Sequence, residues 1–308
     1  TLVFSGTAEA GGSVEVFIDG ASIGTVTADA TTGAWSLDYS GTALGAGATY
    51  NLTAQVTDVA GNTSVVSDIM AVTVDQSVSD PAFALNSDTG ASGIDAITSD
   101  GVVNVTLDAD VASWRYSLNG GTDWSDGTGA SFTLTEGTYP AGGIVVEQTD
   151  VAGNVSVQTQ NAAEITIDQS VAAPTVTAFS DDSGVAGDSI TNDQNLTFSG
   201  SAEAGSSVEV FVDGSSVGTA DADATTGAWT FDFTATTLAQ GNHAITAQAT
   251  DPAGNISAIS DALNVTVDTV GEKPSITAIS DDTGVAGDQI TSDDTLIFSG
   301  TAEAGGGV

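Results

Sequence analysis

The sequence contains no cysteine, one histidine and only two basic residues, Arg115 and Lys273, among 308. Without cysteine, disulfide bonds, thiolate metal sites and thiol redox chemistry are all excluded. Nucleic acid and anionic membrane surfaces are excluded as electrostatic partners, because both require Lys and Arg. No apolar run reaches the roughly 18 residues that a transmembrane helix needs, so direct membrane insertion of this segment is not expected.

Acidic and β-forming residues dominate instead. The 41 Asp and Glu residues give a formal net charge of −39 at pH 7, yet hydrophobic residues make up 40% of the chain. Val, Ile, Thr and Phe alternate with polar residues, which favours strands with apolar cores over disorder. Helical periodicity and helix-capping signals are absent. A small domain without disulfides often depends on a metal ion for stability.

The chain is built from internal repeats. The stretches 2-LVFSGTAEAGGSVEVFIDG-20, 196-LTFSGSAEAGSSVEVFVDG-214 and 296-LIFSGTAEAGGGV-308 are near-copies of one another. The motif TDxAGN also recurs, at 57–62, 149–154 and 250–255. Because the sequence stops at the phase of the repeat where it started, we expect it to be a window from a longer array.

The third repeat shows the most complete pattern of strands. Alternation and turn signals predict seven of them, which we letter A to G in chain order, at 174–180, 195–204, 207–212, 216–222, 227–233, 243–250 and 256–268. The pair Asp213-Gly214 is typical of a type I′ hairpin turn. Seven short strands in about 100 residues are typical of an immunoglobulin-like sandwich. Trp35, Trp114 and Trp229 are interpreted as core anchors.

The predicted fold is therefore all-β, with tandem immunoglobulin-like β-sandwich domains arranged as an elongated rod. The predicted domains are 1–76, which lacks its N-terminal strand; 77–169, a divergent subtype; 170–269, which is complete; and 270–308, the start of a fourth.

The loops between strands A and B crowd aspartates without any basic residue nearby, as in 281-DDTGVAGDQITSDD-294 and its copies at 181–193 and 88–100. In a sandwich, this loop lies at the outgoing end of a domain, where strand G also ends. The ends of strand G carry Asp75, Asp168 and Asp268. The incoming end carries the B–C loop, the loop with Asp221 and Asp223, and the F–G loop with Asp251 and Asn255. When domains stack end to end, carboxylates from both sides would meet.

Such a junction would be repulsive without a cation, and protonation near neutral pH would need large increases in pKa. Calcium accepts six to eight oxygen ligands from carboxylates, amides and carbonyls, which are the groups that these loops supply. Zinc is disfavoured because cysteine is absent and histidine is single, whereas magnesium stays possible. The spacing of an EF-hand is absent. The alternative is a solvated acidic surface that aids solubility.

The pattern TVD…P, DDxGxxxGDxIT, LxFSGTAEAGxxVxVFxDG and AxATDxAGNxS resembles the bacterial Ig-like repeats of giant surface adhesins. These adhesins are exported by type I secretion and include RTX and biofilm-associated types. The second repeat, with 114-WRYSLNGGTDW-124, is similar to a subtype that alternates with the first, although Asn119 stands where Asp is usual. The resemblance implies repeats that bind calcium (Ca2+) at or near domain junctions and act as a stiff stalk.

The resemblance also implies the metal ligands. In the A–B loops these are Asp88, Asp95, Asp100, Asp181, Asp182, Asp188, Asp193, Asp281, Asp282, Asp288 and Asp293. The F–G positions Asp58, Asp150 and Asp251 follow. The strand G ends Asp75, Asp168 and Asp268 are candidate ligands because of their place at the junctions.

The favoured function is a structural extender of an adhesin on the bacterial cell surface, outside the cell. Its expected partners are the neighbouring domains of the same chain, calcium ions and, through distal domains, a host or neighbouring-cell surface. The alternative is a carbohydrate- or protein-binding adhesive module, with Trp124 and Tyr139 as candidate contacts. An enzyme is not expected, because His243 has no nucleophile elbow beside it and the acidic pairs lie in repeated loops.

Overall fold

The computed structural model describes residues 2–304 of the chain. Residue 1 and residues 305–308, at the ends of the first and fourth predicted domains, lie outside the described residues. Between 2 and 304 the chain forms strands, turns and loops and no helix, which confirms the predicted all-β class. No helix long and apolar enough to cross a membrane is therefore found in this part of the chain.

In chain order the strands are β1 (Val3–Thr7), β2 (Ser13–Ile18), β3 (Ala21–Thr27), β4 (Ala34–Asp38), β5 (Ala48–Thr57), β6 (Met70–Val74), β7 (Ala82–Leu85), β8 (Ile97–Thr98), β9 (Val102–Thr106), β10 (Val111–Ser117), β11 (Ser125–Asp126), β12 (Ser131–Thr133), β13 (Gly137–Tyr139), β14 (Val145–Asp150), β15 (Thr159–Gln160), β16 (Ile165–Ile167), β17 (Thr175–Phe179), β18 (Ile190–Thr191), β19 (Thr197–Ser201), β20 (Ser207–Val212), β21 (Ser215–Asp221), β22 (Ala228–Asp232), β23 (Gly241–Thr250), β24 (Leu263–Val267), β25 (Ser275–Ile279) and β26 (Phe298–Thr301).

The described chain divides into two compact units. One holds the residues up to Asn86 together with Gly101–Ile165, and the other holds Ser87–Asp100 together with the residues from Thr166 onward. The loop Ser87–Asp100 is thus grouped with the third repeat. The four predicted domains and their boundaries stay a prediction.

The first unit contains the first repeat and most of the second. In the first repeat, β3-β2-β5-β6 form an antiparallel sheet and β1 pairs with β4. Val14 and Val16 of β2 are buried, with Phe4 and Trp35 packed against them. In the second repeat, the sheets are β12-β9-β7 and β11-β10-β14-β15, and Trp114 is buried as predicted.

The second unit contains the complete sandwich of the third repeat, with sheets β17-β19-β22 and β18-β24-β23-β20-β21. Its core includes Phe198, Val210 and Trp229. The turn between β20 and β21 has positive φ at Asp213 (51°) and Gly214 (78°), as a type I′ hairpin requires. In the fourth repeat, β25 pairs with β26.

Two details of the third repeat differ from the sequence-based prediction. The predicted strand 256–268 is shorter, because β24 begins only at Leu263. Before it, the hydroxyl oxygens of Ser257 and Ser260 accept the backbone N–H groups of β23 that a strand would otherwise bond, at 2.9 Å each. The acidic A–B loop, for which no strand was predicted, contains the short strand β18, which pairs in parallel with β24.

Candidate metal centres

The motif TDxAGN folds into the same loop in all three copies. In the second copy, the backbone N–H of Asn154 donates to Asp150 Oδ1 at 2.8 Å, and Asn154 Nδ2 donates to Asp150 Oδ2 at 2.7 Å. Gly153 has a φ of +90°, a conformation that favours glycine. The corresponding bonds form from Asn62 to Asp58 and from Asn255 to Asp251. The loop therefore fixes the position of one carboxylate in each repeat.

At the first of two carboxylate clusters, Asp150 lies beside Asp75 and Asp110. One carboxylate oxygen from each of the three lies within 4.8 Å of the others. Asp75 follows β6 of the first repeat, whereas Asp110 precedes β10 and Asp150 ends β14 in the second. Asn154 Nδ2 also donates to the carbonyl oxygen of Asp75 at 3.3 Å. We call Asp75, Asp110 and Asp150 the first triad.

Asp168, Glu203 and Asp251 form an equivalent cluster, the second triad, with the same spacing. Asp168 follows β16 of the second repeat, Glu203 lies between β19 and β20, and Asp251 follows β23 of the third repeat. Asn255 Nδ2 donates to the carbonyl oxygen of Asp168 at 2.8 Å. In each triad the F–G aspartate is buried and the other two side chains are half-buried. Both triads therefore combine the end of one repeat with two loops of the next.

In the first triad, the three carboxyl groups oppose one another's ionisation. Burial raises the pKa of Asp110, and the neighbouring carboxylates of Asp108, Asp75 and Asp150 raise it further. Burial also raises the pKa of Asp150, but hydrogen bonds from Asn154 and from backbone N–H groups outweigh this and lower it overall. Asp150 is thus held as an anion next to a carboxyl group that resists ionisation. A bound cation would relieve this conflict.

Sequence reasoning included four of the six triad residues and missed Asp110 and Glu203. Both occupy the same place in the repeat, the acidic position of the B–C loop, which reads SAEA at 201–204 and DADV at 108–111. The equivalent residues of the other repeats are Glu9 and Glu303, so an acid recurs there in all four copies. This recurrence, at the end of the domain that carries the F–G loop, is the signal that could have found them.

The other predicted ligands are not brought into such clusters. Within residues 2–304 no group of three neighbouring carboxylates includes Asp58, Asp88, Asp95, Asp100, Asp181, Asp182, Asp188, Asp193, Asp268, Asp281, Asp282, Asp288 or Asp293. Asp268 follows β24 and thereby occupies the place that Asp75 and Asp168 hold in the triads. Apart from Asp58 and Asp268, these residues lie in the A–B loops.

Each A–B loop contains one aspartate with a buried, unpartnered oxygen. Oδ2 of Asp182 accepts the backbone N–H of Gly187 at 2.6 Å, and Oδ2 of Asp282 accepts that of Gly287 at 2.6 Å. Oδ2 of Asp88 is similarly bonded, at 3.1 Å. In all three residues Oδ1 is buried and has no hydrogen-bond partner. A buried carboxylate oxygen without a partner is costly, and a cation would satisfy it.

The A–B loop of the second repeat packs on the F–G loop of the third, within the second unit. The hydroxyl of Thr89 donates to the carbonyl oxygen of Ala253 at 2.6 Å. Beside this contact, a cavity of about 580 Å³ is lined by Asp95, Asp221 and Asp251, among others. Carboxylates from an A–B loop and from an incoming end therefore face a common space.

The aromatic candidates for an adhesive surface are engaged internally. The indole Nε1 of Trp124 donates to the carbonyl oxygen of Gly121 at 3.0 Å, and the guanidinium of Arg115 lies 4.5 Å above its ring. The hydroxyl of Tyr139 donates to the carbonyl oxygen of Thr135 at 3.0 Å. These contacts give both side chains a structural role.

These observations define a tandem array of immunoglobulin-like sandwiches with acidic connections. The sequence profile of the bacterial Ig-like domain matches residues 1–76 and 170–269, more than half of the chain. The chain therefore belongs to the bacterial Ig-like domain family, as the resemblance implied. No curated protein matches the sequence.

Several solved structures are similar over most of the chain. A 1.5-MDa bacterial ice-binding adhesin is 18% identical over 86% of this chain and 90% of its own, with a TM-score of 0.35. A Ca2+-stabilized adhesin of an ice-binding Antarctic bacterium is 25% identical over 91% and 72%, with a TM-score of 0.34. A tetra-tandem repeat from the extending region of a large adhesion protein is 19% identical over 97% and 83%, with a TM-score of 0.30. These TM-scores are too low to support a functional conclusion.

Proposed function

We propose that the chain is a calcium-stiffened extender region of an adhesin on the bacterial cell surface. In this proposal the four predicted domains follow one another as a stalk, and calcium bound between successive repeats limits the angles between them. The observation that supports the proposal is the recurrence of one triad at two successive connections between repeats.

The residues of both triads fit calcium. Calcium binds oxygen at about 2.3–2.6 Å, so ligands on opposite sides of an ion are about 4.6–5.2 Å apart. The triad oxygens, all within 4.8 Å of one another, suit this span. Asp75, Asp110 and Asp150 would hold one ion, and Asp168, Glu203 and Asp251 another. An all-oxygen ligand set with neither sulfur nor nitrogen disfavours zinc.

The orphaned Oδ1 atoms of Asp88, Asp182 and Asp282 support a second kind of site, inside the A–B loops. Each loop supplies backbone carbonyls and further aspartates, and calcium accepts both. Calcium bound there would supply a positive charge and fix the loop conformation. Asp268 would contribute to a further site with Glu303, the counterpart of Glu203.

The proposed calcium sites would be filled outside the cell and mostly empty in the cytoplasm. Extracellular calcium modules bind with dissociation constants of about 10⁻⁴–10⁻³ M, so such sites stay mostly empty in a calcium-poor cytoplasm and fill outside the cell. A site at a hundredfold excess of calcium over its dissociation constant adds about 2.7 kcal/mol to the free energy of unfolding. We therefore place the chain outside the cell, where it would rigidify after export.

Calorimetric titration with calcium tests the proposal, with small-angle X-ray scattering recorded in chelator and in calcium. We expect Asp150→Asn to remove or weaken the binding at one site. Asp58→Asn is the matched control, because Asp58 makes the same loop bonds but lies in no triad of the described chain. It should destabilise its loop without changing the calcium stoichiometry.

We also expect the maximum dimension in scattering to lengthen with calcium and not with an equal concentration of magnesium. Indifference of the wild-type protein to calcium in both experiments would contradict the proposal and would favour a solvated acidic surface. Equal calcium binding by wild type and Asp150→Asn would remove the first triad as a site.

A further inference from the structure

The only histidine of the chain, His243, bridges the β20–β21 turn and the segment before β23 in the third repeat. Its Nδ1 lies 2.8 Å from Oδ2 of Asp213, in the turn between β20 and β21. Its Nε2 lies 2.9 Å from the carbonyl oxygen of Ala239, just before β23. The side chain is only 12% exposed. The ring therefore connects two separate segments from a largely buried position.

Both oxygens that face the ring can only accept hydrogen bonds. A carboxylate and a backbone carbonyl have no proton to donate, and neutral imidazole carries a single N–H. In the neutral ring one nitrogen lone pair would therefore point at an oxygen, whereas imidazolium donates from both nitrogens. We propose that His243 is a proton-binding switch. Its imidazolium donates hydrogen bonds both to the β20–β21 turn and to the segment before β23, and its deprotonation breaks one of these two hydrogen bonds.

The charged surroundings of the ring support this assignment. Asp213 faces Nδ1, and Glu209 of β20 lies farther along the sheet, paired with Gln248 of β23. The strand opposite His243, Leu263–Val267, carries no titratable residue. Burial lowers the pKa of His243, but the bonds to Ala239 and Asp213 outweigh it and raise the pKa overall.

The equivalent position of the first repeat shows what the histidine replaces. Tyr50 stands eight residues before Asp58, as His243 stands eight residues before Asp251. The Tyr50 hydroxyl accepts the N–H of Gly45 at 2.7 Å and donates to its carbonyl oxygen at 3.4 Å. This neutral group bonds the segment before β5, and it has no proton equilibrium in the physiological range. At the equivalent position of the third repeat, the contacting side chain is a histidine, which titrates near physiological pH.

The sign of the effect follows from the direction of the shift. A histidine whose pKa is higher in the folded than in the unfolded protein contributes stability that is complete below the unfolded pKa, about 6.5. That contribution is lost as the pH rises through the folded pKa. The third repeat should therefore become less stable as the pH increases from mildly acidic to alkaline.

Proton NMR of the imidazole Cε1–H tests the switch without ambiguity of assignment, because the chain has one histidine. The experiment titrates the intact chain with pH in buffer and again in urea. We expect a higher pKa in the folded protein than in urea, and a lower folded pKa in Asp213→Asn than in wild type. A folded pKa equal to or below the value in urea would overturn the proposal.

A second variant tests the consequence for stability. His243→Tyr installs the side chain of the first repeat, and it should remove the loss of thermal stability of the third repeat between mildly acidic and alkaline pH. The wild-type titration in buffer and in urea decides the proposal even if either variant fails to fold. Unchanged pH dependence in a folded His243→Tyr protein would show that other groups cause it.

Discussion

The first and third repeats share most of their sequence between 2–20 and 196–214, but their cores differ. In the third repeat, β19 lies between β17 and β22, and Phe198 is 0% exposed. In the first repeat, β1 pairs with β4 alone among the described residues, and the equivalent Phe4 is half-buried. A cavity of about 540 Å³ extends along β1, past Phe4 and Trp35.

The third repeat has β17 beside β19, and the described residues of the first repeat hold no counterpart of β17 beside β1. Val14 and Val16 of the first repeat stay buried, as do Val208 and Val210 of the third, because β2 and β20 lie in the middle of their sheets. Trp35, Ala54 and Val72 are, like Phe4, more exposed than their equivalents in the third repeat, Trp229, Ala247 and Val265. The alternation of apolar residues therefore decides which face is buried, whereas the neighbouring strands decide how completely.

The largest effect expected from this comparison comes from removing the equivalent phenylalanine in each repeat. Phe198→Ala should cost about 3–5 kcal/mol of unfolding free energy, as for other fully buried aromatic residues. Phe4→Ala should cost clearly less, because its ring already contacts the cavity. Urea denaturation with residue-resolved hydrogen exchange would separate the two repeats. Equal losses in both would contradict the difference in burial between the two phenylalanines.

Much of this fold could be predicted from the sequence, because alternation and turn chemistry act locally. The range 207–212 was predicted as a strand and coincides with β20, and Asp213-Gly214 forms the predicted turn. The segment 256–262 was wrongly included in a strand, since its alternation is strand-like. There the hydroxyl oxygens of Ser257 and Ser260 accept backbone N–H groups of β23. A hydrophobicity pattern cannot predict whether a side-chain oxygen or a backbone carbonyl accepts such an N–H.

The next largest effect should come from the B–C acids. Calcium at a hundredfold excess over the dissociation constant of a site raises the unfolding free energy by about 2.7 kcal/mol. Glu203→Gln should remove up to that amount of the calcium-dependent stabilisation of the third repeat. Glu9→Gln is the matched change in the first repeat, where Glu9 belongs to no triad within 2–304. Thermal melts in chelator and in calcium measure both. A calcium-dependent loss in Glu9→Gln as large as that in Glu203→Gln would contradict the assignment of Glu203 to a calcium site.

The candidate sites were less predictable than the fold. The carboxylates of Asp168 and Asp251 stood out because repeated turns and strand ends place them at connections between repeats. Glu203 did not stand out, since it is a single acid within an otherwise small and apolar motif. Its contribution depends on the path of the B–C loop toward the preceding repeat, which is a property of the fold and not of local composition.

A smaller effect concerns the close packing of β2 against β5. A Cβ atom added at Gly12 would lie 2.6 Å from Cγ2 of Val56, whereas the third repeat has Ser206 and Ala249 at these positions. Gly12→Ser should therefore cost about 1–3 kcal/mol through overpacking. The double variant Gly12→Ser with Val56→Ala should recover part of this loss. If the double variant is as unstable as the sum of the single changes, the two positions do not compensate for each other.

The smallest effect expected is a gain in stability from Ser206→Ala. Ser206 is 0% exposed, and its hydroxyl has no hydrogen-bond partner. Removing a buried hydroxyl that bonds to nothing relieves its desolvation cost, so Ser206→Ala should raise the unfolding free energy by up to about 1 kcal/mol.

Ser257→Ala is the matched control for this change, because the Ser257 hydroxyl accepts the N–H of Ala249 at 2.9 Å and donates to the carbonyl oxygen of Ala258 at 2.7 Å. It should lower the unfolding free energy by about 0.5–1.5 kcal/mol. Urea denaturation of the two variants in chelator compares them without any contribution from calcium. Destabilisation by both changes would mean that the Ser206 hydroxyl finds a partner, such as a buried water, because the loss would then reflect a broken hydrogen bond in each case.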